Sequence, residues 1–119
     1  MLEIKQFHLY LADLSPRFGT EPGKTRPVVV VQTDLLNDVG HPSTLVCPIS
    51  TQIHEKASLL RVHLDPDRVQ INKKSDILVD QIRAIDNKRF VSYLGVLDSD
   101  SKDKLIQNLA IVLRPRLEF

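Results

Sequence analysis

Apolar side chains along most of this chain recur at alternate positions, and only near its end at spacings of three and four. The pattern therefore predicts a series of short strands closed by one helix. Residues 7–13 mix period-two placement with aromatics and run into the turn signal Leu14-Ser-Pro-Arg17, which ends a first strand. A second strand is expected over 27–32, where four successive valines leave no polar face. That strand must be covered on both sides, by the core and a helix or by a partner subunit. One short helical turn over 33–40, N-capped by Thr33, leads to a third strand over 44–49 and a loop over 50–56. Leu60, Val62 and Leu64 alternate with polar residues in a half-exposed strand over 59–64, followed by a polar loop over 67–75.

One further strand is expected over 77–85. Ile77, Val79, Gln81, Arg83 and Ile85 lie on one of its faces, against Leu78, Asp80, Ile82 and Ala84 on the other. A turn at 86–88 precedes a last strand over 90–97. The closing helix begins at the N-cap Asp98, presents Leu105, Ile106, Leu109, Val112 and Leu113 as one stripe, and stops at Arg114-Pro115. Ile111 falls off that stripe. Five or six short strands this apolar need closure or a partner at their edges, so the expected fold is mainly β with α: a small SH3-like antiparallel barrel with a C-terminal helix.

The chain has 119 residues, of which 42% are hydrophobic, enough for one core and one domain over 1–119. A net charge of +1 rules out the bulk cationic field of indiscriminate nucleic-acid binders, so any such contact is local. Cys47 is the sole cysteine and lies in an apolar run, which fits a packed thiol and a cytoplasmic chain. No signal-peptide order or apolar run of about 20 residues points to a membrane.

The loop Gly19-Thr-Glu-Pro-Gly-Lys-Thr-Arg-Pro27 hands over directly to the valine strand. Pro27 biases Arg26 toward extended geometry, so its guanidinium stands at a strand mouth, with Arg17 and Lys24 adding charge beside it. Gly19 and Gly23 give the loop turn conformations closed to other residues. This loop lacks the upstream glycine of a nucleotide-binding P-loop and opens a strand where a P-loop opens a helix. His8, His41, His54 and His63 form no metal-ligand spacing, and no serine sits in a nucleophile elbow. No metal and no cofactor is expected.

Three polar groups leave strand ends: Arg26 with Lys24 and Glu21, then Ser50-Thr-Gln52, then Asp80-Gln-Ile-Arg83. Gathered at one barrel rim, an arginine, a hydroxyl and a carboxylate suit phosphodiester chemistry. Arginine stabilises charge on phosphorus, a hydroxyl holds a non-bridging oxygen, and a carboxylate orients or accepts a proton. A second reading uses the same residues as surface structure, with Arg26 paired to Glu21, Thr51 capping a turn and Asp80 paired to Arg83. Residue types and spacing are compatible with both.

The same segments resemble the MazF/PemK (Kid) family of toxin endoribonucleases, the mRNA interferases. The resemblance rests on 11–31, with its Ser-Pro turn, glycine-rich loop and Arg-Pro strand, and on Pro48-Ile-Ser-Thr-Gln52, Val79-Asp-Gln-Ile-Arg-Ala-Ile-Asp86 and Leu94-Gly-Val-Leu-Asp98. It implies a homodimer that cuts single-stranded mRNA at a short sequence without metal, through attack of the 2′-hydroxyl, and that a cognate antitoxin inhibits. Arg26 matches the family's catalytic arginine and Ser50 its catalytic threonine. Glu21, Asp80 and Gln81 match groove or catalytic residues of relatives, Thr51 is a further candidate beside Ser50, and Arg17, Thr20, Lys24, Thr25, Gln52 and His54, with Phe18, are read as RNA contacts. The chain departs from the pattern at Ser50, at Pro22 and Thr20 in the loop, and at Leu78, where Kid-like members carry arginine. The alternatives are a CcdB-like toxin of the same barrel that binds DNA gyrase without cleavage, and a catalytically weakened paralogue that keeps only antitoxin binding.

Overall fold

The computed structural model describes residues 2–54, 56 and 60–116. Its strands are β1 (His8–Asp13), β2 (Thr25–Val30), β3 (Ser43–Ser50), β4 (Arg61–Leu64), β5 (Ser75–Leu78), β6 (Arg83–Asp86) and β7 (Phe90–Val96). A short helix α1 (Asp34–Asn37) follows β2, and α2 (Ser99–Val112) ends the fold. All pairings are antiparallel, in the order β4-β5-β3-β2-β1-β7, with β6 against the start of β3. The sheet is curved and barrel-like but open, since β4 and β7 remain its two ends.

Alternation along each strand builds two cores. Leu9, Val29, Cys47 and Ile77 point to one face, which α2 covers through Leu105. Tyr10, Val28, Val30, Val46 and Ile85 point to the other. The valines of β2 are thus enclosed on both sides by the chain itself, and a subunit seam at that strand, one of the two covers foreseen, is not needed.

Three expectations change. The strand foreseen over 77–85 breaks into β5 and β6 around a 3₁₀ turn, Val79–Gln81, giving seven strands in place of five or six. The polar insertions Asp80 and Gln81 mark that break. The polar loop ends one residue earlier than foreseen, because Ser75 already pairs with Leu64. On α2, Ile106 is exposed along with Ile111, as is the C-cap residue Leu113, while the polar Ser101 and Asn108 are buried. Asn108 faces inward because its amide donates to the Arg61 carbonyl at 3.2 Å. The expected start of β4 at Leu59 lies outside the described residues. Asp98 caps α2 as foreseen, accepting from the Ser101 N–H at 3.2 Å.

Candidate active site

Two prolines decide where the sheet opens. On one side, β2 pairs with β1 throughout, with Arg26 opposite Ala12. On the other, its pairing with β3 stops at Val28 opposite Pro48, next to Pro27. Neither proline has an N–H to offer the ladder, so the two strands part beyond this pair. The end of β3 turns instead to β5, setting Ile49 opposite Ile77 and Ser50 opposite Asp76. Counting two residues on from Val28 and Pro48 brings Arg26 and Ser50 abreast on the two parted strands. Between them lies a cleft of about 880 Å³.

The cleft is cationic. Arg17, Lys24, Arg26, Lys56 and Arg61 line it, with Asp80 as its one carboxylate among the described residues. Arg26 is partly buried and its Nε donates to the Gly23 carbonyl at 2.8 Å, which leaves its two terminal nitrogens for the cleft. Burial, and then the charge of Arg17, lower its pKa below the ordinary arginine value. Ser50 is half-buried at the last position of β3, and its hydroxyl accepts from the Gln52 N–H at 3.1 Å.

The loop before Arg26 is shaped by close contact. Gly23 is buried against Arg17, and a Cβ there would come within 2.7 Å of the Arg17 Cβ. Gly19 takes a left-handed φ of 56° as its type allows, but the second left-handed residue is Lys24, at 66°. The Lys24 carbonyl accepts from the Leu14 N–H at 2.8 Å, which ties the loop's exit to the end of β1. Arg89 fastens the entry, donating to the carbonyls of Asp13, at 3.0 Å, and Ser15.

Most of the residues picked out from the sequence meet here. Arg26, Ser50, Thr51, Asp80 and Gln81 line the cleft, as do Arg17, Thr20, Lys24, Gln52 and His54. Thr51 joins Ser50 on this wall because β3 ends at Ser50, so strand alternation no longer turns its side chain away. Glu21 and Thr25 are not among the lining residues. Glu21 lies 3.7 Å from Arg83, so neither the Arg26–Glu21 nor the Asp80–Arg83 surface pair forms. Phe18 is exposed outside the cleft.

Cys47 is fully buried and does not line the cleft. Burial, with a smaller contribution from Asp80, pushes its thiol up to about 12. Among the described residues, no group of three or more His, Cys, Asp and Glu side chains is placed to hold a metal ion. No described helix is long and apolar enough to cross a membrane.

Sequence reasoning missed Arg61 and Asp76. Arg61 lines the cleft, and Asp76, assigned to no element beforehand, is fully buried beneath it. The available signal was the shared parity of Arg61 and His63 on β4, which puts both on one face of the strand.

The chain also has relatives among known proteins. Residues 5–113 match a family described as the PemK-like, MazF-like toxin of type II toxin-antitoxin systems. The chain is 37% identical over 110 residues to the endoribonuclease EndoA of Bacillus subtilis (strain 168), covering 92% of this chain and 94% of that protein. Among solved structures, it resembles MazF from Deinococcus radiodurans with a TM-score of 0.78 and 22% identity, over 95% of this chain and 98% of that one. An endoribonuclease from a Mycobacterial species, solved in complex with its cognate antitoxin, aligns with a TM-score of 0.74 and 16% identity, over 99% of this chain and 100% of that one.

Proposed function

The chain belongs to the PemK-like, MazF-like toxin family of type II toxin-antitoxin systems, and from that premise we propose that it is a single-domain, metal-independent endoribonuclease. It cuts single-stranded mRNA at a short sequence in the cytoplasm, and a cognate antitoxin inhibits it. The observation that carries this reading is the meeting of Arg26 and Ser50 across two parted strands in a cleft lined by five cations and one carboxylate.

RNA brings its own nucleophile. The 2′-hydroxyl oxygen bonds to the adjacent phosphorus as it loses its proton, and the bond from phosphorus to the 5′-oxygen breaks as that oxygen gains one. The products are a 2′,3′-cyclic phosphate and a 5′-hydroxyl. Arg26 stabilises the charge building on the phosphoryl oxygens with its two unengaged nitrogens. Ser50 holds a non-bridging oxygen in place of the threonine usual in the family. Asp80, exposed at the cleft, orients or accepts a proton.

Bases are read by Thr20, Gln52 and His54 at the rim, while Arg17 and Lys24 meet phosphates. The homodimer expected of the family is supported by the edge strand β7, where Val91, Tyr93 and Val96 are each about half exposed. An extended antitoxin segment lying over the cleft would find the same cations and strand edges.

The test incubates purified protein with a long RNA in excess EDTA and maps the new 5′ ends, alongside Arg26→Ala. Cutting that depends on added metal, or full activity in the alanine variant, would sink the mechanism. No cutting on varied RNAs would favour a binding toxin of the gyrase-trapping kind or a weakened paralogue.

A further inference from the structure

β4 and β5 carry a charged cluster that the chemistry at Arg26 does not use. Asp76 is fully buried, a state a carboxylate tolerates only when paired and hydrogen-bonded. Its Oδ2 accepts from Arg61 Nη1 at 3.1 Å and from the His54 N–H at 3.2 Å, and its Oδ1 lies 2.6 Å from His63 Nδ1. The Arg61 backbone is held as well, by the Asn108 amide on its carbonyl. Arg61 is thus fixed at its root and at its tip before any ligand arrives.

The fork is only half used. Both side-chain bonds of Arg61, to Asp76 and to the Gln52 carbonyl, leave from Nη1. An arginine serving only as counter-ion would set two nitrogens on the two carboxylate oxygens, but here the second oxygen of Asp76 is taken by His63. Among the described residues, Nε and Nη2 of Arg61 have no partner. Nor do they belong to the buried unpartnered atoms, Arg83 Nη1 and Asp98 Oδ1. Both are therefore accessible, on a residue that lines the cleft. Arg26 is built the same way, tethered through one nitrogen with the others unspent.

Paired residues share a face, so Arg26, Ser50, Asp76 and His63 form one row across β2, β3, β5 and β4, with Arg61 two residues from His63 on that face. Two ladder spacings of about 4.8 Å separate Ser50 on β3 from β4, ~10 Å in all, and the opened gap separates Ser50 from Arg26 on the other side. Arg26 is tethered on the β2 side of Ser50 by the Gly23 carbonyl and Arg61 on the β4 side by Asp76, so the two guanidiniums are anchored on opposite flanks of the row. Resting on the nuclease reading above, we propose that Arg61 is a second phosphate-binding residue of the cleft, positioned by Asp76, which grips the RNA backbone at a phosphate beside the scissile one. Two fixed guanidiniums on different phosphates set the register of the strand over Ser50.

The test measures binding of a 2′-O-methylated single-stranded RNA, which lacks the attacking hydroxyl, from about 50 to about 200 mM salt. Wild type is compared with Arg61→Gln, Arg61→Lys and the double variant Arg61→Gln/Asp76→Asn, whose amides leave no buried charge unpaired. Melting curves accompany each, and wild type is assayed for cleavage of long RNA in parallel. Arg61→Gln and the double variant are expected to bind about tenfold more weakly, with the slope of log affinity against log salt shallower by about 0.7, while Arg61→Lys keeps the slope. A folded double variant with an unchanged slope would make Arg61 merely the counter-ion of Asp76 and overturn the proposal, leaving the nuclease reading intact if wild type cuts. A wild type that cuts no RNA overturns that reading itself.

Discussion

Replacing Arg26 by lysine isolates what the guanidinium contributes beyond its charge. Lysine keeps the positive charge but loses the planar fork, and it leaves the buried Gly23 carbonyl without the 2.8 Å bond from Nε. That bond fixes the guanidinium in the cleft that Ser50 also lines, so losing it blurs the position of the donors as well as their number. A charge-assisted hydrogen bond contributes about 1.5–3 kcal/mol. If one such contact to the phosphoryl oxygens is lost in the transition state, the rate falls by ~10-fold to ~150-fold. Alanine also removes the charge, and loss of a preorganised donor alone costs about 10²–10³ in rate. The expected order is therefore wild type, then lysine, then alanine at ~1000-fold or more below wild type. The assay is single-turnover cleavage of a labelled RNA with enzyme in excess and EDTA present, which separates chemistry from product release. Melting temperatures check that each variant is folded. A lysine variant within about threefold of wild type would show that charge alone suffices and refute the argument from the tethered fork.

The same structure sets three other outcomes. Ser50→Ala should slow cleavage by ~100-fold, while Ser50→Thr, which keeps the hydroxyl and can still accept from the Gln52 N–H, should cut at least as fast as wild type under the same single-turnover assay. Gly23→Ala pushes a methyl to 2.7 Å from the Arg17 Cβ, so denaturant unfolding should show a loss of about 1–3 kcal/mol, with cleavage reduced because the Gly23 carbonyl holds Arg26. Burial holds the Tyr10 pKa above its ordinary 10.0, against the weaker opposing pull of the Lys5 N–H. The unfolded chain therefore loses this proton first, and the stability it contributes is present below pH 10 and lost as pH rises through the folded value. Tyr10→Phe should be less stable at neutral pH, lacking the 2.6 Å bond to the Glu3 carbonyl, and the gap to wild type should narrow above pH 10 in unfolding curves.

Legibility from sequence differed from element to element. β1, β2, β3 and β7 were readable because alternating or wholly apolar runs have one stable use in a sheet, and Asp98 marked the start of α2 through local capping chemistry. The strand over 77–85 misled because Asp80 and Gln81 fit a pleat as readily as a turn, and only the need of β3 for two different partners along its length separates β5 from β6. Asn108 defeated the helical stripe because its partner, the Arg61 carbonyl, comes from a distant strand. Of the candidate site, Arg26 stood out by its place between a glycine-containing loop and Pro27. Arg61 did not, since a charged residue on a half-exposed strand looks solvated until the buried carboxylate beneath it is seen.

By itself the sequence determined the features that neighbours along the chain impose on one another: the periods that make strands and a helix, the proline that holds Arg26 extended, the absence of metal-ligand spacing and the family motifs. These are short-range consequences of backbone sterics and side-chain parity, carried wherever the segment goes. The tertiary structure decided the features that depend on distant segments meeting. It parted β2 from β3 at two prolines to open the cleft, gave Glu21 to Arg83 and the Gly23 carbonyl to Arg26, and buried Asp76 where Arg61 and His63 could reach it. Such pairings are set by sheet register and by the desolvation of charge, neither of which exists until the strands are side by side.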